Sequence, residues 1–382
     1  MRYILKNKDK NLVLFSIDDG FIEPEITEIV KYDEVGLPPE FTDISSWIEN
    51  RNYAKHKEHL KKWLKEWGID NSYGFINLTH CLSLNDSLWV DNENSNLKWS
   101  QINLYENEFS DVVAKTAFNS GLKGLKLSST SPEFTSEGSF EKCWMQENGT
   151  VLLYKKGGTG AINFGLEPYS EFYASQIASF ICKDYVSYDL IKYKGSLVSV
   201  CKMFTSQNEG FVPFYKLLDS NRTYNYNEIL KICSKYGVEE EFRSMIVLDA
   251  LIFNTDRHLG NFGFIVDNDT YEIKRFAPIF DHNMSLFSRA LDSDFEDFEN
   301  YSNDIGLGHK MGGDFIEIAE KMLTPSIISK LDLLNDDFRK DGFKRHKFYN
   351  LSDERLHFIE NKVRNNIESL INNRKLIVGK SR

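Results

Sequence analysis

The feature that most constrains this sequence is a polar loop between two apolar segments. The loop reads Asn254-Thr255-Asp256-Arg257-His258-Leu259-Gly260-Asn261. Before it, residues 239–253 place apolar side chains at broadly helical spacing, and three acidic residues stand in the first turn, where the helix dipole favours negative charge. A mostly buried helix is therefore predicted to lead into the loop.

A hairpin is predicted directly after the loop. The apolar runs 262–266 and 271–276 flank a polar turn at 267–269. The chain then reads Ala277-Pro278-Ile279-Phe280-Asp281, so a carboxylate ends an otherwise apolar segment. Burying a carboxylate is costly unless it has a partner, and a metal ion is one partner that offsets the cost. Because a hairpin returns the chain to its starting end, we expect Asp281 to lie near Asn261.

These polar groups match the requirements of phosphoryl transfer from a metal-bound nucleotide. We expect the Asp256 carboxylate to orient an attacking hydroxyl and to accept its proton. Asn261 and Asp281 provide the oxygen ligands that Mg²⁺ prefers. Each residue alone is also explained as a cap or a solvated charge, but their order favours the functional interpretation. The sequence therefore predicts an enzyme that uses ATP and Mg²⁺.

A lysine for the nucleotide phosphates is predicted upstream. Asn148-Gly149 stands between two apolar runs and is a strong hairpin signal, because both central residues of that turn adopt positive φ. In the second strand Lys155 alternates in phase with Val151 and Leu153, so we expect it on their face. The alternatives are a solvent-exposed lysine at the strand end and the use of Lys156 instead.

A loop that covers the phosphates is predicted before this hairpin. Its sequence is Thr135-Ser136-Glu137-Gly138-Ser139-Phe140. Backbone N–H groups near Gly138 and the Ser136 hydroxyl are suited to hold phosphate oxygens. The loop contains one glycine, whereas protein kinases carry G-x-G-x-x-G at this place.

Two more features complete the predicted nucleotide site. A helix over 170–181 has Ser170 as its expected cap, and Glu171 either favours the helix dipole or forms an ion pair with Lys155. A hairpin over 190–204 follows, and its exit at Met203 and Phe204 is predicted to offer backbone groups to adenine.

The order of these features resembles the HipA-like serine/threonine kinases, whose best-known members are toxins of bacterial toxin–antitoxin pairs. The similarity covers about residues 130–330 and rests on D-x-H-x-x-N followed by Asp281. It implies that Asp256 is the catalytic base and that Asn261 and Asp281 bind Mg²⁺. It also implies that Lys155 binds ATP and that His258 supports the loop.

The resemblance carries further expectations. In the family, a serine of the phosphate loop is autophosphorylated, which ejects the loop and inactivates the kinase. Thr135, Ser136 and Ser139 are the residues here that match this role. The resemblance also implies a protein substrate with a serine or threonine acceptor, a growth-regulating role and a small antitoxin as partner.

Two other classes of function remain open. The D-R-H-x-x-N string also occurs in phosphatidylinositol kinases, which makes a lipid or small-molecule acceptor the first alternative. Those kinases usually carry an Asp-Phe-Gly-like metal segment, whereas this chain has Phe280-Asp281-His282. A nucleotide-binding pseudokinase that acts as a partner protein is the second alternative, and the intact set of Asp256, Asn261 and Asp281 argues against it. The amino-terminal third departs from the toxin pattern.

The composition predicts a cytoplasmic protein that binds neither membranes nor nucleic acid directly. A chain of 382 residues with 41% hydrophobic residues is sufficient for sizeable cores. No apolar run approaches the roughly 20 residues that span a bilayer. The net charge of −11 disfavours nonspecific nucleic-acid binding. Five cysteines, odd in number and far apart, favour reduced thiols.

The predicted fold class is α+β, as a two-lobed protein-kinase-like fold with a β-rich nucleotide lobe and a mainly helical catalytic lobe. Residues 1–110 are expected to form an α+β region that packs on the nucleotide lobe or is part of it. Residues 111–205 are predicted to form the nucleotide lobe, and residues 206–382 the catalytic lobe. The acidic run at 292–300 is predicted to be a mobile loop in the position of an activation segment.

Overall fold

Strands make up most of the regular structure in the first part of the chain, and helices dominate the last part. The structure, a computed structural model, describes residues 1–18, 25–51, 76, 79–107, 142–159, 163–219 and 222–378. The strands are β1 (Arg2–Asn7), β2 (Lys10–Asp18), β3 (Glu25–Lys31), β4 (Leu88–Asn92), β5 (Lys142–Glu147), β6 (Thr150–Lys156), β7 (Tyr188–Tyr193), β8 (Ser196–Lys202), β9 (Glu209–Pro213), β10 (Gly263–Asp267) and β11 (Ile273–Phe276). The α-helices are α1 (Ile44–Arg51), α2 (Trp99–Ile102), α3 (Glu167–Ile181), α4 (Tyr226–Lys235), α5 (Glu239–Ile252), α6 (Phe298–Asp304), α7 (Phe315–Met322), α8 (Pro325–Asp341) and α9 (Asp353–Val378). These elements confirm the predicted α+β class.

The chain divides into two compact units. Unit 1 comprises Met1–Tyr154, Lys202–Val212 and Ile265–Lys274, and unit 2 comprises Lys155–Cys201, Pro213–Phe264 and Arg275–Arg382. The predicted boundary near residue 110 lies in a stretch, 108–141, outside the described residues. The division into 1–110, 111–205 and 206–382 therefore stays a prediction.

The main sheet of unit 1 is antiparallel with the order β3-β2-β1-β4. Its register places Tyr3 opposite Phe15, and the two rings stack at 5.8 Å. Both side chains are buried, as are Ile44 and Ile48 of α1, which belong to the same core cluster. The alternating side chains of β1 and β2 on one face of the sheet therefore share a core with the short helix α1.

Two predicted hairpins are confirmed. Asn148 and Gly149 join β5 to β6 with φ of 50° and 74°, the left-handed values that this short turn needs. Strands β10 and β11 form the second hairpin, in a three-stranded sheet with the order β11-β10-β9. This hairpin leads the chain from Asn261 to the segment that contains Asp281.

In unit 2 the end of β6 lies beside β8, and β8 pairs with β7 in the order β6-β8-β7. Helix α3 begins at Glu167, one turn earlier than predicted, so the assignment of Ser170 as its cap is wrong. Pro168 stands in the first turn, where its fixed φ favours helix initiation. Ser170 is instead buried inside the helix, and its hydroxyl bonds the carbonyls of His282 and Ser285 at 2.6 and 2.8 Å.

Helix α5 confirms the prediction of a buried helix before the polar loop. Glu239, Glu240 and Glu241 occupy its first turn, and its side chains are buried from Ser244 to Ile252. The helix ends at Phe253, which has a left-handed φ of 55° and donates its N–H to the Asp249 carbonyl. This reversal directs the next residues away from the helix axis.

The acidic run at 292–300 differs from the prediction of a loop. A 3₁₀ turn spans Asp292–Phe295, and α6 begins at Phe298. The Phe295 ring stacks on Phe358 of α9 at 4.2 Å, and Phe298 contacts the same ring at 5.2 Å. The aromatic residues between the acids anchor the segment, which composition alone did not indicate.

All five cysteines are free and buried: Cys81, Cys143, Cys182, Cys201 and Cys233. Within the described ranges, no helix has both the length and the apolar character required to cross a bilayer.

Candidate active site

Lys155, at the end of β6, contacts two acidic side chains in unit 2. Its Nζ donates to Glu171 of α3 and lies 2.6 Å from Asp281 Oδ1. Glu171 is 1% exposed, and its other carboxylate oxygen accepts a hydrogen bond from Ser199 of β8. A strand, a helix and the segment after the hairpin are therefore joined by one ammonium group.

The charge of Lys155 is stabilised by its neighbours. Burial lowers the pKa of Lys155, but the carboxylates of Asp281 and Glu171 outweigh burial and hold this pKa above its ordinary value. Burial raises the pKa of Glu171, and the ion pair with Lys155 opposes that effect. The site thus contains a fixed cation between two acids.

Asp281 occupies an unusual backbone conformation. Its φ is 62°, a left-handed value that Asp adopts more readily than most residues other than glycine. Its N–H donates to the Tyr188 hydroxyl at 3.1 Å, and two residues earlier Ile279 pairs with Tyr185 in a parallel bridge. The side chain of Asp281 is 23% exposed. The backbone therefore turns the carboxylate toward Lys155 while it stays accessible to solvent.

The polar loop is held by its own hydrogen bonds. The Asp256 N–H donates to Asn254 Oδ1 at 3.1 Å, and the Asp256 carbonyl accepts from His258 N–H at 2.9 Å. The same carbonyl accepts from Asn261 Nδ2 at 3.1 Å. Because the Asn261 amide nitrogen is used inside the loop, its Oδ1 is the atom suited to bind a ligand.

Behind the loop lies a buried ion pair between Asp249 of α5 and Arg257. Arg257 Nε is 2.9 Å from Asp249 Oδ2, and Arg257 Nη2 is 3.0 Å from Oδ1, a bidentate arrangement. Both side chains are fully buried. Arg257 Nη1 also donates to the carbonyls of Asn261 and Phe280, at 2.9 and 2.6 Å. One guanidinium thus joins α5, the polar loop and the residue before Asp281.

The pKa values of the titratable groups around this ion pair are strongly shifted. Burial alone raises the pKa of Asp249, but Arg257 and the hydrogen bond from His309 outweigh it and lower this pKa to about 2. His282 is fully buried, and burial together with the Arg257 charge lowers its pKa to about 3. His282 is therefore a neutral ring near neutral pH, and its Nδ1 accepts from Arg257 Nη2 at 3.4 Å.

A second loop is anchored to the same carboxylate. His309 is 4% exposed, and its Nε2 is 3.4 Å from Asp249 Oδ2. Its Nδ1 is 2.7 Å from the Tyr226 hydroxyl. The next residue, Lys310, places its Nζ 3.3 Å from Asp256 Oδ1. Asp249 therefore holds the loops of both Asp256 and Lys310.

Four predicted site residues lie outside the described residues: Thr135, Ser136, Gly138 and Ser139. Three other predicted site residues, His258, Met203 and Phe204, make contacts within their own units. His258 is exposed, and its Nδ1 accepts the Gly260 N–H at 3.1 Å, which closes the turn of its own loop. Met203 and Phe204 belong to unit 1. There the Met203 N–H donates to the Val151 carbonyl at 3.0 Å, and the Phe204 ring contacts Phe211.

Asp249, His309 and the role of Arg257 were not predicted from the sequence. A usable signal was present in Ile246-Val247-Leu248-Asp249-Ala250-Leu251-Ile252, where one acid stands in an apolar helical run. A buried carboxylate requires a cationic or hydrogen-bonding partner. The partner's identity depends on which residues fold against the helix.

The donor set suits Mg²⁺. Lys155 contributes one positive charge against the two carboxylates of Glu171 and Asp281, so the cluster has excess negative charge that a divalent cation balances. Mg²⁺ usually binds through one or two protein side chains together with substrate phosphates. The Asn261 amide oxygen and the Asp281 carboxylate are of this kind. Among the described residues, no group of three or more His, Cys, Asp or Glu side chains forms a cage made only of protein.

Known proteins resemble this chain in part of its sequence and in its fold. The serine/threonine-protein kinase CtkA of Helicobacter pylori strain J99 is 31% identical over 137 residues, which cover 32% of this chain and 42% of the relative. The chain thus matches about two fifths of that relative's length. HipA of Shewanella oneidensis, solved in a toxin–antitoxin complex with HipB and operator DNA, aligns over 96% of both chains with a TM-score of 0.51 and 10% identity. The chain has the fold of the HipA-like kinases.

A crystal structure of the Helicobacter pylori proinflammatory kinase CtkA aligns with 20% identity and a TM-score of 0.47, over 62% of this chain and 95% of the other. No family model matches the chain. The HipA-like resemblance inferred from the polar loop is confirmed at the level of the fold.

The Asp249 carboxylate generates a prediction for stability in acid. Its pKa rises from about 2 in the HipA-like fold to 3.8 when unfolded, so folding is favoured above pH 4 and this contribution is lost as the pH falls toward 2. At about 1.4 kcal/mol per pKa unit, the site loses about 1 kcal/mol between pH 5 and pH 3. Urea unfolding at both pH values should show this loss in the wild type and not in Asp249→Asn. Asp336→Asn, at an exposed acid, should behave like the wild type.

Proposed function

We propose that this chain is an ATP- and Mg²⁺-dependent serine/threonine protein kinase of the HipA-like type. The observation that carries the proposal is the placement of Lys155 between Glu171 and Asp281, in the same unit as Asp256 and Asn261. A lysine held by a helix glutamate and facing a metal-binding aspartate is the arrangement that active kinases use for nucleotide phosphates. The sequence similarity to a serine/threonine-protein kinase supports the same chemistry.

Each residue has a defined task in the proposed reaction. The Lys155 ammonium binds nucleotide phosphate oxygens, and Glu171 keeps it in place. Asn261 and Asp281 hold Mg²⁺, which neutralises charge on the phosphates when it is bound. The Asp256 carboxylate, 37% exposed, orients the acceptor hydroxyl and takes its proton. Arg257 contributes indirectly, because it fixes the backbone of Asn261 and the residue before Asp281.

Three classes of function differ in the molecule that accepts the phosphate. The partial relative is named a serine/threonine-protein kinase, which favours a hydroxyl on a protein. A phosphatidylinositol or small-molecule kinase uses the same polar set with another acceptor. A pseudokinase that binds nucleotide without turnover is disfavoured by the presence of Asp256, Asn261 and Asp281. Transfer of labelled phosphate to protein, lipid or neither separates the three classes.

The proposal also includes an antitoxin partner and inactivation by autophosphorylation. The solved HipA neighbour is in a complex with HipB and DNA, which supports a small antitoxin partner and a growth-regulating role for this chain. The absence of direct nucleic-acid binding and a cytoplasmic location stay predictions from composition. We also propose autophosphorylation at Thr135, Ser136 or Ser139, which adds about two negative charges where nucleotide phosphates bind and so inactivates the enzyme.

The first prediction of the proposed function concerns the metal. Asp281→Ala should abolish the Mg²⁺-dependent part of ATP binding measured by calorimetry with and without Mg²⁺, because it removes the charged ligand. Asp281→Asn is the matched variant, since asparagine tolerates the left-handed backbone and keeps one oxygen while removing the charge. It should retain the fold and lose most of the Mg²⁺ dependence. Wild-type Mg-ATP affinity in both variants would disprove the metal assignment.

The second prediction separates chemistry from binding. Asp256→Asn should keep ATP affinity within about threefold and lower the phosphorylation rate by roughly 10²–10⁴, the usual effect of a positioned base. Lys155→Ala should instead mainly weaken nucleotide binding. An equal loss of ATP affinity and rate in Asp256→Asn would show that Asp256 is structural.

The third prediction concerns self-modification. Incubation with Mg-ATP followed by mass spectrometry should find phosphate between residues 135 and 139 in the wild type and none in Asp256→Asn. The modified protein should have lost activity because phosphate repels the nucleotide. Phosphate found only elsewhere, or full activity after modification, would remove this regulatory step and leave the kinase proposal intact.

A further inference from the structure

Phosphoryl transfer requires positive charge beside the reacting phosphorus, and the polar loop does not provide it. Charge builds up on the oxygens of the transferring group, and lysine or arginine clamps stabilise it. The cation within the loop, Arg257, is fully buried and bonded to Asp249. Lys155 is paired with Glu171 and Asp281. Besides Lys155 and a bound Mg²⁺, which the proposed function places on the nucleotide phosphates, a further cation next to Asp256 has to come from another part of the chain.

Lys310 is placed to supply that charge. Its Nζ lies 3.3 Å from Asp256 Oδ1, and its side chain is 55% exposed. Lys310 and Thr255, the residue before Asp256, both line a cleft of about 840 Å³ in unit 2. An exposed pair of this kind adds little to stability. The ammonium is therefore able to exchange the Asp256 carboxylate for another anion in the cleft at small cost.

The position of Lys310 is built into the fold. The His309 N–H donates to the Gly313 carbonyl at 3.1 Å, and the Gly312 N–H donates to the His309 carbonyl at 2.8 Å, so Lys310 stands at the tip of a tight turn. Gly312 and Gly313 have φ of 91° and 104°, which other residues rarely adopt. Because His309 also contacts the buried Asp249, the turn and the Asp256 loop share one anchor.

We infer that Lys310 is a catalytic residue that binds the transferring phosphoryl group. This inference rests on the proposed kinase function. The acceptor hydroxyl oxygen attacks the γ-phosphorus, the bond from that phosphorus to the β,γ-bridging oxygen breaks, and ADP leaves with the electron pair. The hydroxyl proton passes to the Asp256 carboxylate. Lys310 keeps its protons and moves its hydrogen bond from Asp256 to the oxygens of the phosphoryl group as their charge increases.

The experiment tests whether kcat depends on a positive charge at position 310. Lys310→Met should lower kcat by roughly 10²–10³-fold, the usual effect of removing one preorganised donor, and change ADP affinity by less than about threefold. Lys310→Arg keeps the charge and should recover at least part of the rate. Lys340→Met, at an exposed lysine of α8, is the matched control and should have wild-type turnover.

Chemical restoration of the ammonium distinguishes catalysis from structure. All five native cysteines are buried, so a cysteine introduced by Lys310→Cys is the accessible thiol for aminoethylation with 2-bromoethylamine. The alkylated side chain again ends in an ammonium group. The kcat of the Lys310→Cys variant should therefore rise at least tenfold on alkylation. The same reagent should leave the wild type unchanged.

Two results would overturn the inference. One is a Lys310→Met variant with wild-type or higher kcat, which would make the Asp256 contact an incidental or inhibitory surface pair. The other is a slow Lys310→Cys variant that stays slow after complete alkylation. Failure of the kinase proposal looks different, because the wild type itself then transfers no phosphate from Mg-ATP to any acceptor.

Discussion

The buried ion pair of Asp249 and Arg257 fixes the positions of the polar groups around it. Two charges without access to water are tolerated only when their hydrogen bonds are satisfied. Asp249 meets this condition by accepting from Arg257, Asn254 and His309, and Arg257 also donates to two carbonyls. These partners belong to helix α5, the polar loop, the segment before Asp281 and the turn of Lys310. Four chain segments are thus held by one pair of charges.

The cluster around Lys155 differs from this ion pair in its exposure and in its charge balance. Its side chains come from β6, α3, β8 and the segment that ends at Asp281. Glu171 and Ser199 are buried, whereas Lys155 and Asp281 are partly exposed, unlike the Asp249 pair. One ammonium faces two carboxylates, so the cluster carries unbalanced negative charge in a partly exposed place. A buried and neutral pair holds structure, whereas this accessible and unbalanced cluster is suited to bind a cation and a phosphate.

Local patterns were sufficient for several elements. Alternation of apolar residues and the Asn148-Gly149 turn predicted the β5–β6 hairpin, and helical spacing predicted α5. The errors arose where tertiary packing outweighs local preference. Serine is a residue type that often caps helices, but α3 begins before Ser170. The Ser170 hydroxyl instead bonds carbonyls of a distant segment. The acidic run at 292–300 is polar overall, yet its phenylalanines pack on α9.

The sequence by itself determined the chemical identity of the candidate site: an acid, an amide and a second acid in a spacing typical of phosphoryl transfer, with a strand lysine upstream. These are properties of residue type and local order, which the chain carries before it folds. Only the tertiary structure decided which groups are paired. Lys155 contacts an acid 126 positions away, and Lys310 contacts Asp256 from a separate turn. Such contacts depend on the packing of whole elements, because the energy of a charge is set by what surrounds it in space.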